Sequence, residues 1–201
     1  MESIISILKK IKSQILRYWR IPKILWFNKN ISNNTFIDKR YLYIQGSENI
    51  IIGENTKILA GLRIEAINSY CNIKYSPSIK IGKSVCINQN FHCTCASSIE
   101  IGDGTSITAN CGIFDIIHPY ENINVNPRHQ TIITESIKIG KNCLIGMNSV
   151  IHPGVTMGDH VIVGSNSTVT AGLYPSYCVL AGSPAKIIKQ YNFTTKHWDR
   201  I

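Results

Sequence analysis

The sequence is poor in charged and aromatic residues: Asp, Glu, Lys and Arg form 16% of its 201 residues, and Phe, Trp and Tyr form 8%. No apolar stretch approaches the roughly 20 residues that span a bilayer, and no continuous apolar segment with a cleavage site marks a secretory leader. The seven cysteines are an odd number and include no Cys-x-x-Cys pair, which argues against a disulfide framework. These absences predict a cytoplasmic, reducing location.

Isoleucine and asparagine are abundant, with 37 and 18 residues respectively. β-Branched side chains favour strands, and asparagine favours turns. The hydrophobic content of 44% is enough for a buried core and excludes global disorder. The length fits one domain with a short appendage.

The basic charge is concentrated at the N-terminus. Residues 1–42 carry nine Lys or Arg against Glu2 and Asp38, which is +7 of the net +9. Nucleic-acid binders usually spread such charge over the folded domain, so no nucleic-acid partner is expected.

An apolar stripe at helical spacing predicts that this leader forms one amphipathic helix, which ends near Ile21 because Pro22 follows. Its members are Ile4, Leu8, Ile11, Ile15 and Tyr18. Two interpretations stay open: a cap that packs on the body or on a neighbouring subunit, and an interfacial helix that makes peripheral contact with anionic lipid.

From residue 50 onward, an aliphatic residue recurs every six positions, usually followed by Gly or a small polar residue. The longest unbroken run contains Ile139, Ile145, Ile151, Met157, Val163 and Val169. In a short strand, positions i−2 and i face the same side, and a turn residue that tolerates positive φ then bends the chain. Three such sides close one 18-residue turn, and stacked turns bury a continuous core. The pattern predicts an all-β fold, a parallel β-helix of about five turns.

The interruptions of this period differ in length. Ile64 and Ile81 are seventeen residues apart, which we interpret as close to one turn. Cys93 and Ile101 are eight apart, which indicates a two-residue bulge. Ile113 and Ile139 are twenty-six apart, which is one hexad plus a twenty-residue insertion. Long excursions from a strict repeat are often functional loops.

These features divide the chain into three parts. Residues 1–42 form the basic helical cap, and residues 43–172 form the β-helix with an inserted loop at 114–136. Residues 173–201 form a short C-terminal tail. In this register Cys93, Cys111 and Cys143 are small inward-facing core residues.

The hexads resemble those of the hexapeptide-repeat acetyltransferases over about residues 43–188. The most similar branches are the galactoside and maltose acetyltransferases and the O-acetyltransferases of bacterial capsule and lipopolysaccharide. The resemblance implies a left-handed coil, acetyl-CoA as co-substrate and no metal. It also implies a homotrimer whose active sites are each shared between two subunits.

His118-Pro119 in the insertion resembles a His-Pro pair of this family, on the loop that leaves an Ile-Gly-Asp coil (here residues 101–103). The resemblance implies that His118 is the general base for direct attack by an acceptor hydroxyl in a ternary complex. A neutral imidazole suits this task at physiological pH. Asp115, three residues earlier, either orients the imidazole or forms a turn.

Residues 88–92 resemble the family's acceptor-binding segment, which makes Asn88, Asn90 and His92 candidates for bonding a sugar hydroxyl. For Asn90 we favour acceptor contact over a capped turn, and for His92 a structural role over acceptor contact.

The resemblance also implies a set of coenzyme A contacts. They are Gly146, Met147, Gly164, Ser165, Thr170, Ala171, Lys186 and Lys189. The segment 182–186 resembles the family's Gly-x-Pro-Ala-Lys signature. Ala171 replaces the usual basic residue, and Leu144 replaces the usual Trp.

These features predict transfer of an acetyl group from acetyl-CoA to a hydroxyl of a bacterial surface-polysaccharide sugar, in capsule or O-antigen. The C-terminal segment 190–200 resembles that of polysaccharide O-acetyltransferases. N-acetylation of a nucleotide amino sugar, or of a small molecule such as an antibiotic, stays open as an alternative.

Two remoter functions fit the sequence less well. A zinc carbonic-anhydrase-like site needs three converging His, but His118 and His129 are eleven residues apart. A non-enzymatic scaffold or ice-binding surface would show flat rows of Thr or Ser and no inserted loop.

Overall fold

The computed structural model describes residues 6–7, 11–12, 15, 20–22, 25 and 28–201. Within residues 28–201 the regular structure is β, apart from 3₁₀ turns at Ser47–Asn49 and Pro127–His129. The predicted leader helix lies mostly outside the described residues and stays a prediction. Of its apolar stripe, Ile11 and Ile15 are described, and both are about half exposed, at 51% and 55%.

Residues 36–174 wind through six three-sided turns. Turn 1 contains β1 (Phe36–Ile37), β2 (Tyr43–Gln45) and β3 (Ile50–Ile52), and turn 2 contains β4 (Lys57–Ile58), β5 (Arg63–Ala66), hairpin strands β6 (Ser69–Tyr70) and β7 (Ile73–Lys74), and β8 (Ser78–Ile81). Turn 3 contains β9 (Cys86–Ile87), β10 (His92–Cys95) and β11 (Ser98–Ile101), and turn 4 contains β12 (Ser106–Ile107), β13 (Gly112–Phe114), loop strands β14 (Ile116–Ile117) and β15 (Ile133–Thr134), and β16 (Ile137–Ile139). Turn 5 contains β17 (Leu144–Ile145), β18 (Val150–Ile151) and β19 (Val155–Met157), and turn 6 contains β20 (Ile162–Val163), β21 (Thr168–Val169) and β22 (Gly172–Tyr174).

Corresponding strands of successive turns pair in parallel and form three faces. Face 1 contains β1, β4, β9, β12, β17 and β20; face 2 contains β2, β5, β10, β13, β18 and β21; face 3 contains β3, β8, β11, β16, β19 and β22. Face 1 continues into β23 (Cys178–Gly182), which also pairs in parallel. The chain then reverses into the antiparallel strands β24 (Ala185–Asn192) and β25 (His197–Arg200), which close that end of the face.

The core is a set of stacked columns of inward side chains. On face 1 one such column contains Ile58, Ile87, Ile107, Ile145 and Val163, all buried. The prediction for the cysteines is confirmed, since Cys93, Cys111 and Cys143 are buried within the coil. Burial raises the pKa of each of these thiols, so they stay protonated at neutral pH.

An asparagine ladder supports the corner between faces 1 and 2. Asn90, Asn110, Asn148 and Asn166 each adopt the left-handed conformation, with φ of 57 to 60°. Each of the first three side chains donates its amide N–H to the Oδ1 of the next, with N–O distances of 2.9, 3.0 and 2.9 Å. Asparagine suits this position because its side chain is tolerated at positive φ.

The structure confirms the long insertion and corrects the shorter interruption between Ile64 and Ile81. These two residues lie on adjacent faces of the same turn, and the extra eleven residues include the β6–β7 hairpin. The spacing suggested one complete turn because seventeen residues is close to the 18 residues of a three-sided turn. The pairing also begins upstream of residue 43, with β1, so the coil has six turns where about five were predicted.

Truncation inside the column should destabilise the coil. Ile107→Ala is expected to lower the free energy of unfolding by about 2–5 kcal/mol, because it leaves a cavity between two paired turns. Chemical denaturation followed by circular dichroism would measure it. Ile51→Ala, at an exposed position on face 3, is the matched control and should change stability by less than about 1 kcal/mol. Equal effects of the two substitutions would contradict the packing described here.

Candidate active site

A cleft of about 280 Å³ lies over face 2, between the β6–β7 hairpin and the loop 114–136. Its lining residues are Arg63, Glu65, Ile67, Tyr70, His92, Thr94, Ile116, His118, Arg128 and Ile132. The hairpin leaves the coil in turn 2 and the loop leaves it in turn 4, so turn 3 separates them. Because parallel strands are about 4.8 Å apart, the two excursions stand about 10 Å apart at their bases and can meet above turn 3.

The hairpin and the loop are joined by hydrogen bonds from tyrosine hydroxyls, which we call the tyrosine clasp. The Tyr70 hydroxyl donates to the backbone carbonyl of Arg128. The Tyr75 hydroxyl donates to the carbonyl of Ile132 at 3.3 Å. The clasp fixes the outer wall of the cleft with respect to face 2.

His118 follows β14 directly and is exposed toward the cleft. Its strand pairs antiparallel with β15, which sets the direction in which the loop leaves the coil. The imidazole packs edge-on against the Tyr70 ring, with centroids 5.6 Å apart and an interplanar angle of 65°. Among the described residues, none forms a hydrogen bond with its ring, so both nitrogens are available to a ligand.

Asp115 organises the base of the loop. It is fully buried, and its carboxylate accepts from the backbone N–H groups of Ala96 and Ser97 at 2.7 and 2.8 Å and from the Cys95 thiol at 3.2 Å. Its backbone carbonyl accepts from Glu135 at 2.9 Å, where the loop returns. Of the two roles predicted for Asp115, the geometry supports the turn-former, because the carboxylate bonds the tight corner of turn 3 and makes no described bond to His118.

The floor of the cleft is made of outward-facing residues on β5 and β10. Arg63 is in register with His92, and Glu65 with Thr94. The His92 Nε2 lies 3.1 Å from the Thr94 hydroxyl and 3.5 Å from the Glu65 Oε1. A second imidazole therefore faces the same space as His118.

Phe114 packs edge-on against the His92 ring. The ring centroids are 4.9 Å apart with an interplanar angle of 85°. This contact depends on Gly112, because a Cβ there would lie 2.7 Å from the Phe114 ring. Burial lowers the pKa of His92, and the nearby Arg63 lowers it further, while Glu65 opposes the shift.

Comparison with known proteins identifies the family. Residues 136–171 match the family described as bacterial transferase hexapeptide (six repeats). The chain is 33% identical over 165 residues to WbbJ of Escherichia coli K12, named as a lipopolysaccharide biosynthesis O-acetyl transferase. That match covers 79% of this chain and 80% of WbbJ. The chain belongs to the hexapeptide-repeat acetyltransferases.

Solved structures of this family share the fold. AntD, an N-acyltransferase from Bacillus cereus solved with dTDP and 3-hydroxybutyryl-CoA, superimposes with a TM-score of 0.64 at 22% identity, covering 81% of this chain and 82% of AntD. A further Bacillus cereus structure, the BC4754 product, gives a TM-score of 0.53 at 18% identity over 83% of this chain and 80% of that one. The coil of this hexapeptide-repeat acetyltransferase is therefore a left-handed parallel β-helix.

The structure separates the candidate acceptor residues. His92 lies in the cleft, whereas Asn90 lies in the asparagine ladder at the corner of faces 1 and 2. Asn88, just before that corner, does not line the cleft either. Of these three candidates, His92 is the one that lines the cleft, and the acceptor roles of all three stay predictions.

Sequence reasoning missed Arg63, Glu65, Tyr70 and Arg128, all of which line the cleft. The one available signal for the two β5 residues was the alternation of inward and outward positions on the face that carries His92. Tyr70 and Arg128 meet only through loops that are far apart in the sequence, so no local pattern marks them.

The candidate coenzyme A residues fall into three places. Gly146, Met147, Gly164 and Ser165 follow β17 and β20 at the corner of faces 1 and 2, and the pair 170–171 follows β21 at the corner of faces 2 and 3. The two lysines, 186 and 189, lie on β24 beyond the last turn.

Two of the predicted coenzyme A positions differ in exposure. Gly146 is buried, and a Cβ there would lie 2.5 Å from the Ser165 nitrogen, so its absence of a side chain serves turn stacking. Met147, by contrast, is exposed beside it and available to a ligand.

Within the described ranges, no three His, Cys, Asp or Glu side chains converge in a way that could hold a metal ion. In the same part of the chain, no helix combines the length and apolarity needed to cross a membrane.

The His92 environment predicts a pH dependence. We expect His92 to titrate below the ordinary imidazole value of 6.5, because burial disfavours the charged ring. The unfolded chain then binds the proton first as pH falls, so the stability that His92 contributes is present above about pH 6.5 and is lost below it. Ring-proton NMR of the wild type and of His92→Gln would assign the resonance and its midpoint. A midpoint at or above 6.5 would contradict this account.

Proposed function

We propose that the chain is an acetyl-CoA-dependent O-acetyltransferase that acts on a sugar hydroxyl of a bacterial surface polysaccharide, in capsule or O-antigen. The observation that carries the proposal is the cleft over face 2, which is lined by both His92 and His118, and the ring nitrogens of His118 bond no described residue. The similarity to WbbJ, named as an O-acetyl transferase of lipopolysaccharide biosynthesis, supports the reaction and the acceptor class.

In the proposed reaction, His118 removes the proton of the acceptor hydroxyl as its oxygen attacks the carbonyl carbon of the acetyl thioester. The carbon–sulfur bond then breaks, and His118 returns the proton to the departing thiolate. The products are the acetyl ester and free coenzyme A, so atoms and charge balance. No protein nucleophile is needed, in keeping with thiols that burial holds in the protonated form.

In this proposal the remaining site residues position the acceptor or the loop that carries His118. His92, kept neutral by its surroundings, bonds an acceptor hydroxyl from the floor of the cleft. Asp115 holds the corner from which the His118 loop departs. Asn88 and Asn90 stay predictions as acceptor contacts, and the ladder bonds of Asn90 favour its structural role.

The homotrimer that the family resemblance implies would accommodate the distribution of the predicted coenzyme A residues. The predicted residues lie at both corners of face 2, on opposite sides of that face. In a groove between two copies, one extended pantetheine arm would meet the corner of faces 1 and 2 from one copy and the corner of faces 2 and 3 from the other. Lys186 and Lys189 then supply positive charge for the nucleotide phosphates.

The basic charge of residues 1–42 favours a membrane surface as the location of the reaction. Surface glycans assembled on lipid carriers lie at the cytoplasmic face of a membrane with anionic lipids, and each Lys or Arg near such a surface adds about 1 kcal/mol of attraction. The +7 charge of residues 1–42 would hold a cytoplasmic enzyme at that surface.

Removal of the proposed base should abolish most turnover. His118→Ala is expected to reduce kcat roughly 10²–10⁴-fold, the effect of losing one general base, with little change in acetyl-CoA affinity. Thioester cleavage with capsular or O-antigen oligosaccharides, nucleotide amino sugars and small antibiotics as acceptors would measure it. His129→Ala, on the same loop but outside the cleft lining, is the matched control and should keep full activity.

Two outcomes would overturn parts of this proposal. Acetylation of amines alone would replace O-transfer by N-transfer. Full activity of His118→Ala would remove the assignment of the base, whatever the acceptor.

The two lysines on β24 should contribute to the binding of the acetyl donor, acetyl-CoA, and not to the chemical step. The double variant Lys186→Ala and Lys189→Ala is expected to raise the KM for acetyl-CoA with little change in kcat, because the phosphates lie far from the reacting thioester. The double variant Lys57→Ala and Lys83→Ala, in turn 2 and at the start of turn 3, controls for lost charge at the other end of the coil. Steady-state kinetics with varied acetyl-CoA would measure the KM of each double variant. Equal KM values for the two would mean that Lys186 and Lys189 do not bind the nucleotide.

A further inference from the structure

The cleft carries more positive than negative charge. Two of the residues that line it are arginines, Arg63 and Arg128, and the one lining carboxylate is that of Glu65. Outside the leader the chain is nearly neutral, with +2 of the net +9 over residues 43–201. Because the coil as a whole is nearly neutral, its composition does not account for two guanidinium groups in one cleft.

Arg63 is held in place and still has donors to spare. Its Nε donates to the Glu65 Oε1 at 2.6 Å, and its guanidinium lies 5.6 Å from the centre of the Tyr43 ring. A guanidinium has five N–H donors, and the terminal nitrogens of Arg63 bond to no described residue. The end of the fork, which suits two parallel hydrogen bonds to one carboxylate or phosphate, is therefore free.

Arg128 provides the second cation from the opposite wall. The tyrosine clasp holds it through its backbone, because the Tyr70 hydroxyl bonds the Arg128 carbonyl. The exposed guanidinium forms no ion pair with any residue in the described part of the chain. Floor and wall thus present one cation each, and Tyr70 connects the backbone of Arg128 to His118, against whose ring Tyr70 packs.

Glu65 does not neutralise this pair. Its Oε1 is shared between Arg63, at 2.6 Å, and His92, at 3.5 Å. One carboxylate facing two guanidinium groups leaves a net positive cleft even when both imidazoles are neutral. An acceptor with neutral hydroxyls alone would leave Arg63 with Glu65 as its charged partner and would give Arg128 none among the described residues.

We propose that the acceptor carries an anionic group, a carboxylate or a phosphate, which Arg63 and Arg128 bind while a neighbouring hydroxyl faces His118. The acceptor class is then an acidic sugar or a sugar phosphate. This inference rests on the proposed function, since it names the acceptor of the same reaction.

The test uses matched acceptors and the full-length protein. Methyl glucoside and methyl xyloside are the neutral acceptors, methyl glucuronoside carries a carboxylate, and methyl glucoside 6-phosphate carries a phosphate; each is also tested in the galacto or corresponding arabino configuration. The wild type should prefer one anionic class by roughly 10–100-fold in kcat/KM, the effect of charge-assisted hydrogen bonds. Whichever acceptor reacts faster, the carboxylate or the phosphate, identifies the anionic group that the cleft binds.

Substitution of the two arginines tests whether they cause the preference for an anionic acceptor. Arg63→Gln and Arg128→Gln should each reduce it, and the double variant should bring the ratio of kcat/KM for acidic and neutral acceptors near unity, because the loss falls mainly on the acidic acceptors. Arg40→Gln, in turn 1 and paired with Asp38 away from the cleft, should leave the ratio unchanged. Arg128→Gln lies on an exposed loop, so it tests the inference even if Arg63→Gln perturbs the floor.

The outcomes separate this inference from the proposed function. Transfer without preference for either anion, or an equal loss for neutral and acidic acceptors in the double variant, overturns the inference and leaves O-transfer standing. If no compound is acetylated, calorimetric titration of the same compounds decides the anion site alone. Anion binding that the double variant loses then supports the site and counts against the proposed function, whereas no anion binding overturns the inference.

Discussion

Backbone hydrogen bonds between successive turns hold all three faces in register, so that each inward side chain lies on its counterpart one turn away. On face 3, for example, Ile50, Ile79, Ile99 and Ile137 form one continuous column. A residue inserted within a strand would shift every later side chain to the wrong side of the wall. Extra residues are therefore accommodated at corners, between the strands, where they project outward from the coil.

The cleft follows from where two such projections occur. The β6–β7 hairpin and the loop 114–136 leave the same corner two turns apart, and the tight corner of turn 3 lies between them. Asp115 bonds that corner with its carboxylate and the returning loop with its carbonyl, so it connects the coil to the loop. The position of His118 thus depends on a buried carboxylate that it does not touch.

The six-residue period was sufficient to predict the fold, because core packing repeats with every side of the coil. It also located the 114–136 loop, since a twenty-residue excess cannot be mistaken for a turn. The same period hid the hairpin, because the seventeen residues from Ile64 to Ile81 imitate a turn. The fold places His92 in the cleft and Asn90 in the asparagine ladder, and no local sequence pattern shows which outward-facing residues converge. Tyr70 and Arg128 meet across 58 positions of sequence, a contact that only the folded coil creates.

The tyrosine clasp has an evolutionary consequence. Its hydroxyls lie on the 67–77 segment, and its acceptors on the loop are main-chain carbonyls, which every residue type possesses. Side chains of the loop can therefore be exchanged by drift or selection without loss of the bonds that position it. Related enzymes that kept the two tyrosines would be free to diversify this wall, and with it the molecule they modify, on an unchanged frame.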